Sequence, residues 1–140
     1  MKDWTTSGFV TATASNLSEL PKEPGAYALL LRLKRAFSLD HPRFADFEPL
    51  AAGTYVYCGS AKGPGGLAAR LSRHCRQTKK AHWHIDYLVA AAPVLAFRVV
   101  PAGDECALVA EALRQGATVP LPGFGSSDCR TCPAHLLRLA

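Results

Sequence analysis

Residues 54 to 66, TYVYCGSAKGPGG, carry β-branched and aromatic side chains straight into a glycine cluster, and LAARLSRHCRQTKK follows directly. Thr54 to Cys58 favour extended backbone, and Gly59 with SAKG behind it is expected to end the strand. From Gly66 onward, Leu67 and Leu71 stand one turn apart with Arg70, Arg73, His74 and Gln77 on neighbouring rows, the spacing of an amphipathic helix with a basic face. A strand, a glycine turn and such a helix in succession confine the chain to folds that mix sheet and helix. The turn is not a nucleotide-binding P-loop, because the GK[ST] that would close one is missing.

The remaining chain agrees with this class. AYALLLRL after Gly25 reads as a strand over residues 26 to 34 buried on both faces. RAFSLDHPRFADFEPLAAG has no stable period and reads as a long connection. HWHIDYLVAA suits a second, short helix, PVLAFRVVPA a third strand, and ECALVAEALRQG a last helix capped by Asp104 and closed by Gly116. The tail PLPGFGSSDCRTCPAHLLRLA reads as a loop that folds back. The expected fold is therefore α+β, a small sheet covered by helices. Residues 1–23 read as a loose leader or edge element, and 24–140 as the domain proper.

With 140 residues, one core is expected. A net charge of +5 favours polyanionic partners. Five cysteines and no secretion signal at the N-terminus point to a reducing cytoplasm. YLVAAAPVLAF is too short to span a bilayer, so no membrane segment is expected.

A phosphodiester site needs a fixed cation, a group that orients water, and usually a metal. Arg70 is the natural cation, its planar fork matching phosphate oxygens at any physiological pH. Tyr57 and Gly59 would leave room for backbone to approach a ligand. Lys62, Arg73, Arg76, Lys79 and Lys80 would extend a phosphate-tracking surface, or form an ordinary solvated face. In HWHIDYL, His82, His84 and Asp86 could add phosphate contacts or a second acid, or cap a helix whose core residues are Trp83, Ile85 and Tyr87. Cys129, Cys132 and His135 form C-x2-C-x2-H, which lacks a fourth zinc ligand locally. Cys106 or Cys75 would complete it, and buried thiols beside a satisfied histidine are the alternative.

Gly25-Ala26-Tyr27, Tyr57-Cys58-Gly59, Arg70 with Leu71 and His74, and a glutamate on the last helix together resemble the GIY-YIG nuclease superfamily. The longer blocks GSAKGPGGLAARLSRH, HWHIDYL and FGSSDCRTCPAHL resemble its compact Uri-like branch over roughly residues 24 to 138. The resemblance implies a three-stranded antiparallel sheet flanked by helices and DNA cleavage with one divalent metal, Mg²⁺ or Mn²⁺, held by a glutamate. It assigns Tyr27 as the water-activating base, Tyr57 as the group orienting phosphate or water, Arg70 as the phosphate ligand and His74 as an assistant. The metal ligand is Glu105, or alternatively Glu111. Tyr27 could serve as a base only if Arg70 and a metal-bound water lowered its pKa by a few units. Ala26 and Cys58 stand where the wider superfamily has isoleucines. The expected function is a DNA endonuclease, acting with a fused or associated repair enzyme. The alternatives are a non-catalytic nucleic-acid-binding module with a degenerate nuclease scaffold and a zinc-stabilised interaction domain.

Overall fold

A computed structural model describes residues 8–39, 41–76, 84–125 and 132–139. Its centre is β2 (Gly25–Leu33), flanked on one side by β3 (Gly53–Ala61) and on the other by β4 (Val94–Pro101). Among the described residues the sheet is antiparallel and has five strands rather than three. β1 (Val10–Thr11) extends it beyond β4, and β5 (Leu136–Arg138) beyond β3. Among the described residues four α-helices accompany it: α1 (Ala14–Ser18), α2 (Gly66–Cys75), α3 (His84–Val89) and α4 (Glu105–Arg114). No helix among the described residues is long and apolar enough to cross a membrane.

The apolar run of β2 is continuous because both faces of the strand are covered. Its odd positions Tyr27, Leu29, Leu31 and Leu33 join Tyr55 and Tyr57 of β3 under α2 and α3, which contribute Leu67, Leu71, Ile85 and Leu88. Its even positions Ala26 and Ala28 join Val56 and Cys58 under Leu108, Val109 and Ala112 of α4. Side chains alternate faces at period two, so the run resolves into large residues on one side and small ones on the other. The small face lets α4 approach closely.

β3 continues through Gly59 to Ala61 instead of stopping there, and Gly59 pairs with Tyr27. A Cβ on Gly59 would lie 2.5 Å from the Tyr27 hydroxyl oxygen. The glycine makes room for an internal tyrosine ring, not for a ligand.

The start of α2 settles what the glycine cluster does. Leu67 and Ala68 donate their N–H groups to the carbonyls of Glu23 and Pro21 at 3.0 and 2.9 Å, while Gly66 and Ala69 donate to Gly63 and Gly65 at 3.1 and 3.2 Å. These amides would be the cradle for an anion at a helix N-terminus, and all four already have partners. Val10–Thr11, as the edge strand β1, and Pro21–Glu23, under the start of α2, are thus joined to the rest of the fold.

Candidate functional site

β3 and β4 end, and β2 begins, at the same rim of the sheet. α2 leaves that rim over one face and α4 over the other. Tyr27 near the start of β2, Arg70 in the second turn of α2 and Glu105 in the first turn of α4 therefore lie toward one rim, while Tyr57 stands midway along β3, inside it. Their nearness is visible in their mutual fields: Arg70 and Glu105 both act on each phenol, and Tyr27 acts on Tyr57.

Tyr27 is 1% exposed, and its hydroxyl lies 2.6 Å from Nε2 of the fully buried His74. Burial pushes the phenol well above its ordinary value, and the charge and hydrogen bond of Arg70 only partly oppose this. The hydroxyl and His74 Nε2 share one hydrogen bond, whose direction follows the His74 tautomer. Tyr57 is 7% exposed and also raised, by burial first and then by Tyr27 and Glu105. The shift has the opposite sign from what a phenolate base requires. His74, expected one turn beyond Arg70 and facing the same way, serves inside the core as the partner of Tyr27.

Arg70 is partly exposed, and its Nη1 donates to the Ser60 carbonyl at 2.9 Å, which fixes the guanidinium at the end of β3. Glu111 is drawn into a pair with Arg98 at 3.3 Å on the α4 face. Glu105, with a side chain 22% exposed, instead faces Nδ1 of His135 at 3.7 Å. Of the two glutamates, Glu105 is the one whose field reaches both phenols.

Among the described residues, one of the expected basic side chains is engaged within the fold. Arg73 makes a two-pronged bond to Asp86 of α3, both contacts at 2.9 Å, with the carboxylate side chain only 1% exposed. Asp86 is accordingly a helix-pairing group, and Ile85 beside it is core. Arg73→Ala would leave a buried carboxylate without its counter-ion, and we expect a destabilisation of about 3–5 kcal/mol in urea unfolding. A variant as stable as the parent would refute this. Lys62 and Arg76 are exposed. Lys79, Lys80, His82, Trp83 and Cys129 lie outside the described residues.

His84 contributes to a cluster that the sequence did not announce. It packs against His41 at 4.8 Å and Phe44 at 5.0 Å between ring centroids, while Phe44 stacks on Phe124 at 5.6 Å. Its Nδ1 accepts the Gly125 N–H at 2.8 Å, which requires that nitrogen to be unprotonated. Burial, then His41 and Arg43, lower its pKa from 6.5. The unfolded chain therefore takes up a proton first as pH falls below 6.5, and stability is lost from there down through the depressed folded value. Urea midpoints should fall more steeply with acid in the parent than in His84→Gln. Equal slopes would exclude the effect.

Cys106, in the first turn of α4, meets Cys132 and His135 of the tail. One ligand atom from each lies within 4.8 Å of the others, a group able to hold a metal ion. Tail and helix are brought together because β5 pairs with β3 and Cys58 N–H donates to the His135 carbonyl at 2.9 Å.

Residues 26–140 match a family model described as a domain of unknown function, DUF123. No curated protein and no solved structure matches the chain.

Proposed function

The chain belongs to the DUF123 family, whose description names no activity, and we propose that it is a metal-dependent DNA endonuclease hydrolysing phosphodiester bonds. Its work would lie in DNA processing or repair, beside a fused or associated repair enzyme. The observation that carries this reading is that the charges of Arg70 and Glu105 both act on the two phenols, Tyr27 close to the rim of the sheet and Tyr57 midway along β3. Those are the positions that the GIY-YIG resemblance implies.

Arg70 binds the scissile phosphate, its guanidinium oriented in advance by Ser60 and Tyr27. Tyr57 stays protonated at neutral pH because burial raises it, so it donates its O–H to a phosphate oxygen or to the attacking water. Tyr27 bonds His74, and burial holds its proton, which counts against it as the base. With both phenols held protonated, the proton of the attacking water leaves towards solvent or a substrate oxygen.

Glu105 suits Mg²⁺ or Mn²⁺, since a hard ion that keeps several waters needs only one or two carboxylates, and this one is partly exposed. Bound there, the ion would supply charge that acidifies water and offsets the charge developing on the phosphate. The exposed Lys62 and Arg76 at either end of α2 would contact flanking phosphates, with binding that weakens as salt rises.

The test is a cleavage screen with supercoiled, branched and single-stranded DNA. Nicking that needs Mg²⁺ or Mn²⁺ and stops with chelator supports the reading. The burial of both phenols favours a second one, a DNA-binding module without turnover. Salt-sensitive binding with every substrate left intact would replace the first reading by the second.

A further inference from the structure

We propose that Cys106, Cys132 and His135 form a zinc site that fastens the C-terminal tail to the first turn of α4 and orients Glu105 through His135. Three observations meet here. The three ligand atoms lie within 4.8 Å of one another. Tetrahedral zinc, with bonds of about 2.0–2.3 Å to nitrogen and sulfur, sets its ligand atoms roughly 3.5–3.8 Å apart. Closing the group therefore takes movements of about 1 Å or less, within reach of side-chain rotation.

The second observation is the imidazole. His135 is 4% exposed, and its Nε2 is buried with no hydrogen-bond partner among the described residues. An orphaned ring nitrogen in the interior costs on the order of 1–3 kcal/mol, so a bound ion would remove a penalty that the fold otherwise carries. The third is the other side of the same ring, where Nδ1 faces the Glu105 carboxylate at 3.7 Å. Once that contact shortens to a hydrogen bond, a carboxylate behind a histidine holds the Nδ1–H tautomer and leaves Nε2, the more basic for it, to the metal. Glu105 is in this respect a positioning residue.

Two sulfurs and an imidazole nitrogen are a soft to borderline donor set, which selects zinc over magnesium, manganese or calcium. Binding displaces one proton from each thiol to solvent and involves no redox step. The three ligands leave a fourth position for water or another group. Structurally, the ion would tie residues that follow β4 to residues that precede β5. The inference does not depend on DNA cleavage, and its test contains no nucleic acid.

Elemental analysis of the full chain, purified without chelator, should find about one zinc per molecule. After zinc removal under reducing conditions, cobalt(II) titration should produce a thiolate-to-cobalt charge-transfer band and tetrahedral ligand-field bands, both erased by added zinc. The paired variant Cys106→Ser, Cys132→Ser should lose the charge-transfer band. Glu105→Gln should keep the stoichiometry and the band while binding zinc about 10–100-fold more weakly. A metal-free parent that gives no charge-transfer band with cobalt would overturn the proposal without any variant needing to fold. So would zinc affinity undiminished by loss of both thiols, or a Cys106–Cys132 disulfide in freshly purified protein.

Discussion

Arg70→Ala is expected to slow metal-dependent DNA nicking by about 10²–10³-fold while leaving the chain folded. Removing one preorganised donor from a developing oxyanion costs about 2.7–4 kcal/mol of transition-state stabilisation. The structural loss is smaller, because the contacts given up include one hydrogen bond to the Ser60 carbonyl, with a net worth of about 0.5–1.5 kcal/mol, and the charge that Arg70 holds beside Tyr27. The two effects separate in a pair of measurements, nicking rate at saturating metal and thermal midpoint. Arg70→Lys should recover little, since an ammonium cannot present the planar fork that grips two phosphate oxygens while held by Ser60. A nicking parent whose Arg70→Ala variant cuts at full rate would remove Arg70 from the site.

Gly66→Ala should be the most damaging small substitution in the fold. Gly66 opens α2 with φ +55, a conformation that costs an L-residue about 1–3 kcal/mol. Its added methyl would also run into the backbone carbonyl oxygens of Lys22 and Glu23. Those atoms cannot step aside as a flexible side chain could, because the same stretch receives the N–H groups of Leu67 and Ala68. Strain and collision together should cost on the order of 3 kcal/mol or more. Gly63→Ala, with nothing within 4 Å of its new methyl, is the matched control. Urea unfolding of both variants checks the contrast, and equal midpoints would refute it.

Much of this architecture could be read from residue order. β2 revealed itself because both of its faces are buried, α2 because Leu67 and Leu71 repeat at one turn, and α4 because Asp104 accepts the Cys106 N–H at 3.0 Å as its cap. β1 and β5 stayed hidden for a physical reason: strands of two and three residues are too short to display a period, and their pairing depends on distant partners. The same limit governed the site. Tyr27, Tyr57, Arg70 and Glu105 could be named, but not the burial that keeps both phenols protonated. That burial arises from helices and a tail closing over the sheet. Arg73 and Asp86 were each legible as charges, yet nothing local announces that two helices spend them on each other. Gly59 reads as a strand breaker until its cross-strand partner is known to be a tyrosine.

The strand order also governs how quickly the molecule can organise itself. The β2–β3 hairpin forms around a shorter connection, but Tyr27 must find Val99 and Tyr57 must find Leu136, closing loops of roughly seventy and eighty residues. Topologies dominated by such distant partners belong to the slow, millisecond-to-second class. Arg70 arrives with the helix next to the hairpin, whereas Glu105 and His135 arrive only with β4 and β5. During refolding, recovery of catalytic competence should therefore trail the appearance of secondary structure.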